Sequence, residues 1–373
     1  MSQGMAACLA VLASCICSSQ AFLNPSSFSS SSLLPPPCAP LRSRGSSMMA
    51  AGQSALIIQN KGGGHGEIGY HLALKLVKEK GLQVTLLNDK YDDQKQPFKS
   101  YGDLTGAGVD ILSADLGSAD VKSLLSGRSF HYVFDNFAKS SEALPPFLDL
   151  ARAWPLQVYV FVSSGGMYQV EDSFPLLEDS PVALNEPRKI ELAIEASGLP
   201  YTFFRPQYIY GPLTSKRDYL DWFFHRLVRD KPLPLPLHGD QFTTLTHVED
   251  VASLLAAVVD NPQALRQVFN CASDRCITFK GVVGVAGNAM GRKDAKEAIV
   301  LYDPAERKAD LPKGWWPFRN THFNVSPEKA KRLLGWVPAH DLAKDLEEYY
   351  RGYVAAGLDK KEMSFEVDEK ILG

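Results

Sequence analysis

From Ser54 to Arg205 the chain alternates short apolar runs with stretches of helical periodicity, and that alternation constrains the fold more than any other feature. Runs at residues 55–59, 83–87, 109–112, 132–135, 158–162 and 202–204 read as buried strands. Helical patterns fit residues 67–80, 143–153 and 186–196, with Gly81 and Gly198 where C-caps are expected. Strands separated by helices pair in parallel, because each helix carries the chain back across the sheet. The first crossover opens with Gly63-Gly64-His65-Gly66-Glu67-Ile68-Gly69, directly after the apolar run Ala55-Leu56-Ile57-Ile58. Glycines at that spacing let the backbone turn tightly, approach a pyrophosphate and start a helix whose N-terminus faces the anion.

Beyond Arg205-Pro206 the pattern becomes irregular. Residues 219–229 read as an amphipathic helix, and Thr246-His247-Val248-Glu249-Asp250-Val251 opens another. Lys231-Pro232-Leu233-Pro234-Leu235-Pro236 cannot be helix interior, because each proline lacks a backbone donor. Residues 267–271 read as a further strand, and Ser326-Pro327-Glu328 starts a helix that Gly335 stops.

The opening 66 residues hold no Asp or Glu; the first acidic side chain is Glu67. Residues 6–17 form an apolar run too short to span a bilayer comfortably, followed by the small-residue pattern Ser19-Gln20-Ala21. A Ser/Pro-rich, acid-free stretch reaches Ser47 with only Arg42 and Arg44 as basic groups. This order, a signal-like core and then a transit-like segment, resembles the bipartite presequence of plastids bounded by extra membranes. Residues 1–50 are therefore expected to be a targeting presequence, with 51–373 as the mature domain. Four of the six cysteines lie in the presequence and only Cys271 and Cys276 follow it, which argues against a disulfide-built secreted domain. The mature part carries 37 basic and 42 acidic side chains. Nucleic-acid binding must therefore rest on local patches rather than on net charge.

Several side chains suit a nucleotide. Asn88-Asp89 ends the second strand, where a carboxylate holds adenosine ribose hydroxyls, and Asp115-Leu116 and Asp135-Asn136-Phe137-Ala138 fall where the adenine side is lined. With Gly63, Gly66 and Gly69, the residues Asp89, Asp115 and Leu116 are the candidate NAD(P) contacts. Asp92, Asp93 and Asp103 lie in a polar loop whose carboxylates suit Mg²⁺, and Asp92 is the candidate ligand. His247 with Asp250 reads as structural. Trp315-Trp316-Pro317-Phe318-Arg319 offers rings and a guanidinium for base stacking, or forms lobe core. Arg226, Arg229 and Lys231 offer a small basic group.

Phe161-Val162-Ser163-Ser164 resembles the strand end that carries the catalytic serine of extended short-chain dehydrogenases and epimerases. Those enzymes use a Tyr-x-x-x-Lys pair in which lysine lowers the tyrosine pKa for proton transfer. No tyrosine occurs between Tyr168 and Tyr201; the nearest match to the pair is Asn185-Glu186-Pro187-Arg188-Lys189, and the ungapped register counted back from Ser197-Gly198-Leu199-Pro200 puts Ala183 and Pro187 there instead. This resemblance implies an α/β fold, a Rossmann-type doubly wound parallel sheet with a small C-terminal lobe woven from separate segments. The core is placed at about 54–205 plus 248–275, the lobe at about 206–247 and 276–358, and a tail at 359–373.

Arg205-Pro206-Gln207-Tyr208-Ile209-Tyr210-Gly211-Pro212, then Asp221-Trp222-Phe223-Phe224-His225-Arg226-Leu227, resemble the chloroplast stem-loop-binding proteins. Phe318-Arg319-Asn320-Thr321-His322-Phe323, the segment from Glu328 to Trp336, and the tail from Lys360 to Leu372 carry the resemblance to the end of the chain. It implies a stromal RNA-binding protein with endoribonuclease activity on stem-loop or ribosomal RNA, with Asn60 and Lys189 as candidate catalytic residues. Mg²⁺ and a non-catalytic NAD(P) are the implied cofactors. The implied partners are RNA and related family members in a homo- or hetero-oligomer, with no membrane. An NAD(P)-dependent epimerase or dehydratase, and a non-catalytic nucleotide-sensing scaffold, stay open as alternatives.

Overall fold

The computed structural model describes residues 52–60, 68–89, 101–117, 119–213, 218–307 and 311–373. The presequence call at 1–50, together with Gly63, Gly66 and Asp92, lies outside the described residues.

Seven strands form one parallel sheet: β1 (Ser54–Asn60), β2 (Gln83–Asp89), β3 (Asp110–Ala114), β4 (Tyr132–Asn136), β5 (Val158–Val162), β6 (Tyr201–Pro206) and β7 (Gln267–Cys271). Their order across the sheet is β7-β6-β5-β4-β1-β2-β3. The order reverses at β1, so the C-terminal ends of β1 and β4 diverge and leave a crevice between their loops. The expected doubly wound sheet is therefore present. The near-continuous apolar runs follow from its architecture: β5 is buried along its whole length because helices cover both faces.

One face is covered by α1 (Ile68–Lys78), while α2 (Pro145–Ala153) and α3 (Glu186–Ala196) cover the other. The helix predicted at 186–196 begins at the cap Asn185, whose side chain accepts from Arg188 N at 3.4 Å. Proline follows within the first turn, where its missing donor costs nothing.

The second part of the chain builds an aromatic core of its own. The helix α4 (Asp218–Leu227) supplies Trp222, Phe223 and Phe224. Helix α5 (Val248–Ala256) returns to the sheet and packs on α1. Helices α6 (Phe279–Ala289) and α7 (Leu342–Ala355) close the lobe over Phe279, Leu346 and Tyr353. The proline-rich segment forms the short strand Leu233–Pro236, paired in parallel with Ile299–Tyr302. Prolines at alternate positions put their missing donors on one edge and leave the other free to pair. Ala330 and Trp336, from the segment that begins at Ser326, join the core beneath the sheet rather than the lobe. A C-terminal helix, α8 (Glu366–Leu372), rests against the proline strand and its partner.

Candidate functional site

The crevice is built from strand ends. Gly69 opens α1 directly above β1: a Cβ there would lie 1.9 Å from Gln59 Oε1, so only glycine lets helix and strand approach this closely. Gln59 donates to Tyr101 Oη at 2.9 Å and to Asn88 Oδ1 at 3.3 Å, which fixes the floor between β1 and β2. Asn60 and Asp89 are register partners at the ends of those strands. Asp89 is buried, and its Oδ1 accepts from Leu116 N at 2.8 Å. The sequence candidates Asn60, Gly69, Asp89 and Leu116 therefore gather at one end of the sheet. Asp115 is exposed beside them, accepting from Gly117 N at 3.1 Å.

At the end of β4, Asp135 shapes the loop instead of facing outward. It accepts from Phe137 N and Ala138 N, both at 2.9 Å, and from Tyr159 Oη at 2.8 Å. Full burial pushes its carboxyl up from the ordinary range. After β5, Ser164 Oγ accepts from Gly166 N at 3.0 Å, while Ser163 Oγ is buried without a partner.

Sequence reasoning missed the polar knot beside this turn. Arg205 forks onto the fully buried Glu191 at 3.0 and 2.8 Å and donates to Tyr168 Oη at 3.1 Å. Tyr168 Oη in turn donates to Asn270 Oδ1 at 2.6 Å, and burial raises its pKa to about 12. Tyr168 is thus fixed as a structural hydroxyl. The members of this knot come from separate elements, so no local spacing could reveal them.

Lys189 stands on the outer surface of α3. Its Nζ donates to Glu186 Oε1 at 2.7 Å, and both side chains are about half exposed (48% and 42%). That hydrogen bond raises the lysine pKa, which keeps the group charged. Asn185 is spent as the helix cap of α3.

The lobe wall is the segment from Trp315 to Thr321. Trp316 packs edge-on against Trp222 (4.9 Å) and Phe279 (5.0 Å), so its ring belongs to the aromatic core. Arg319 reaches across to the β5 turn, donating to Tyr168 O at 2.8 Å and to Gly166 O. Between this wall and that turn lies a cavity of about 710 Å³. Arg226 is not a surface group: it is buried, paired with Asp368 and stacked 3.6 Å over Trp222. Arg229 donates to the carbonyls of His225 and Leu358, both at 3.0 Å. Asp250 accepts from Ala339 N (2.9 Å), His340 N (3.1 Å) and His340 Nδ1 (3.1 Å), and His247 stacks on His340 at 3.6 Å. That cluster ties α5 to the segment leading into α7. Asp103 accepts from Tyr70 Oη at 3.0 Å. Among the described residues, no group of three or more His, Cys, Asp or Glu is arranged to hold a metal ion, and no helix is long and apolar enough to cross a membrane.

Residues 63–262 match the NAD(P)H-binding family model. The chain is 36% identical over 319 residues to the chloroplast stem-loop binding protein of 41 kDa b from Arabidopsis thaliana, covering 83% of this chain and 82% of the relative. The chain belongs to the chloroplast stem-loop binding protein family. Its Trp-Phe-Phe and tail segments, matched from sequence, meet in space at Arg226 and Asp368. An uncharacterized UDP-glucose epimerase from Bacillus subtilis is 25% identical over 316 residues, spanning 76% of this chain and 94% of the relative. Solved structures share the fold. An epimerase from Methanothermobacter thermautotrophicus superposes with TM-score 0.63 at 19% identity, over 83% of this chain and 95% of that one. UDP-glucose 4-epimerase from Thermotoga maritima superposes with TM-score 0.60 at 20% identity, over 80% and 99%.

For this family fold the crevice fits a dinucleotide. Gly69 leaves room for close approach of helix and strand, and Asp89, fixed by the Leu116 N–H, would lie on the adenosine side. A carboxylate at the end of β2 suits a free ribose 2′-hydroxyl better than a 2′-phosphate. A bound nicotinamide would supply hydride chemistry; Asn185, whose side-chain oxygen caps α3, has a carboxamide that does not serve as an acid or base near neutral pH.

Proposed function

We propose that this is a plastid RNA-binding protein acting on stem-loop RNA, with metal-assisted phosphodiester cleavage as its activity, on a nucleotide-binding scaffold without its redox tyrosine. The observation that carries this reading is the similarity over most of the chain to a chloroplastic relative named for stem-loop binding. The acid-free N-terminal segment supports the same compartment. Asn185 capping α3 supports the loss of redox chemistry. Mg²⁺ would stabilise charge on the phosphorus and orient the attacking hydroxyl. Asp92, the residue the sequence offers for that ion, lies outside the described residues. Lys189 carries a positive charge fit to neutralise a phosphate once Glu186 releases it.

A second reading, an NAD(P)-dependent epimerase or dehydratase, is favoured by the Asp89–Leu116 geometry at the crevice. Parallel titrations separate the two. The first reading expects stem-loop RNA to bind with an affinity that falls steeply as salt rises, because phosphate contacts release counterions. It expects cleavage to stop in EDTA. Undiminished cleavage in EDTA, or NAD(P)H turnover on a sugar nucleotide without RNA binding, would overturn it.

A further inference from the structure

Four cations gather where α4 and α7 end. Arg229 and Lys231 follow α4, and Lys360 and Lys361 follow α7. The chain turns after α7 at Gly357 (φ 71°), which brings the carbonyls of Leu358 and Lys361 onto the Arg229 guanidinium. Those carbonyls and that of His225 orient the guanidinium without neutralising it. Further along the same tail, the Phe365 ring lies 5.8 Å from Lys231 Nζ. Lys360 and Lys361 are exposed. The tail is held against α4 by the buried Arg226–Asp368 pair. The nearby carboxylates are mostly occupied elsewhere. Asp230 accepts from Arg292 at 2.7 Å, Asp368 is taken by Arg226, and Asp359 keeps one oxygen buried. Glu362 is the exposed acidic neighbour. Among the described residues, no carboxylate pairs with Arg229, Lys231, Lys360 or Lys361. A cation near a helix C-terminus can serve the helix dipole alone, which accounts for Arg229. It does not account for Lys360 and Lys361, which donate to no helix carbonyl among the described residues.

We propose that this surface, built from the ends of α4 and α7 and completed by the tail, holds the phosphate backbone of a bound RNA. The inference rests on the RNA reading and gives it a contact surface. The whole chain has a formal net charge of −3, so attraction for a polyanion must come from a local group of cations. Ammonium groups on long stems act as point charges toward phosphate and read no base edge. The contact therefore adds affinity without sequence preference. Each phosphate it neutralises releases counterions, which ties its strength to salt. An anionic membrane surface offers the same phosphate chemistry, and the test separates the two sources.

The experiment titrates the protein with an RNA hairpin across a salt series, and separately with phosphatidylcholine vesicles containing phosphatidylglycerol. The variants are Lys231→Gln, Lys360→Gln and Lys361→Gln, singly and combined. Lys122→Gln, which removes a lysine paired with Asp149 on another surface, controls for overall charge. Each lysine lost takes about 0.7–0.9 off the slope of log affinity against log salt, and all three take off about 2–3. At 0.1 M salt each single change weakens binding about 5- to 8-fold, and the variants converge on the parent near 1 M. Changing the loop sequence leaves these ratios alone. Glu362→Gln, which removes the exposed carboxylate, tightens binding. All of these side chains are at the surface, so unfolding temperatures stay at the parent value. A triple variant that keeps the affinity and salt slope of the parent overturns the surface while the RNA reading stands. So does a Lys122→Gln variant that weakens binding as much as Lys360→Gln. Vesicle binding through these lysines without hairpin binding at low salt overturns the proposal together with the RNA reading.

Discussion

Asp368 closes a buried, two-pronged ion pair with Arg226, 142 residues earlier in the chain, at 2.7 and 2.8 Å. The carboxylate also accepts from Trp315 Nε1 at 3.1 Å, and the guanidinium lies over the Trp222 ring. The tail is thereby fastened to the helix that supports the lobe wall, and through Trp315 to the wall itself. Burial alone would drive the Arg226 pKa down; the Asp368 carboxylate opposes that shift and compensates the charge.

Asp368→Ala should therefore be costly, because it leaves an arginine buried without a counter-charge. The expected loss is about 3–5 kcal/mol in denaturant unfolding. Replacing both partners, Arg226→Met with Asp368→Leu, should cost clearly less than Asp368→Ala alone. A double variant as unstable as the single one would show that the pair is not the fastening.

Gly69→Ala places a methyl group 1.9 Å from Gln59 Oε1 and must displace the buried Gln59 side chain or move α1 off β1. Overpacking of this kind costs about 1–3 kcal/mol. Gln59→Ala in the same chain should recover part of the loss by vacating the space. Dinucleotide affinity, followed by NADH fluorescence, should fall with Gly69→Ala.

His247 stays neutral in the folded protein. Burial, followed by the charges of His340 and His71, holds its pKa down to about 3, and burial lowers His71 as well. Glu249, Asp345 and Glu348 line the same cavity and do not reverse this shift. The unfolded chain takes up the proton near pH 6.5, so this stability is complete above about pH 6.5 and is lost as pH falls toward 3. The slope reaches about 1.4 kcal/mol per pH unit for one proton. Asp135 and Glu178, whose pKa values burial raises, act in the opposite sense. The measurement is thus the difference in unfolding free energy between parent and His247→Asn from pH 7 to 5. The parent should lose stability faster on acidification; parallel curves would refute the assignment.

Asn185→Ala removes a helix cap and should cost about 1 kcal/mol. The parent should show no steady NAD(P)H turnover with common sugar nucleotides. Turnover that Lys189→Ala abolishes would mean that a proton-transfer group other than tyrosine serves the crevice.

The sheet was legible because its signals are local. Alternating runs and helical periods follow from residues a few positions apart, and a central strand such as β5 is buried on both faces, so its apolar run is unbroken. The third glycine could be read for the same reason: it must sit one strand-to-helix turn after β1. The tail and the Trp-Phe-Phe segment stood out as sequence, but their meeting at Arg226 and Asp368 did not, since the pair spans 142 residues. The fate of single polar groups was equally hidden. Asp135 turned inward to hold its loop, Asn185 became a cap, and Trp316 gave its ring to the lobe core. The Tyr168–Arg205–Glu191 knot and the cavity under Arg319 exist only where distant segments converge. Sequence thus determined which elements form and in what order they wind, because backbone hydrogen bonding and hydrophobic periodicity act over short separations. Which charges are buried, which donors lack acceptors and where a ligand-sized space remains were decided by packing, because those depend on what each side chain meets across the fold.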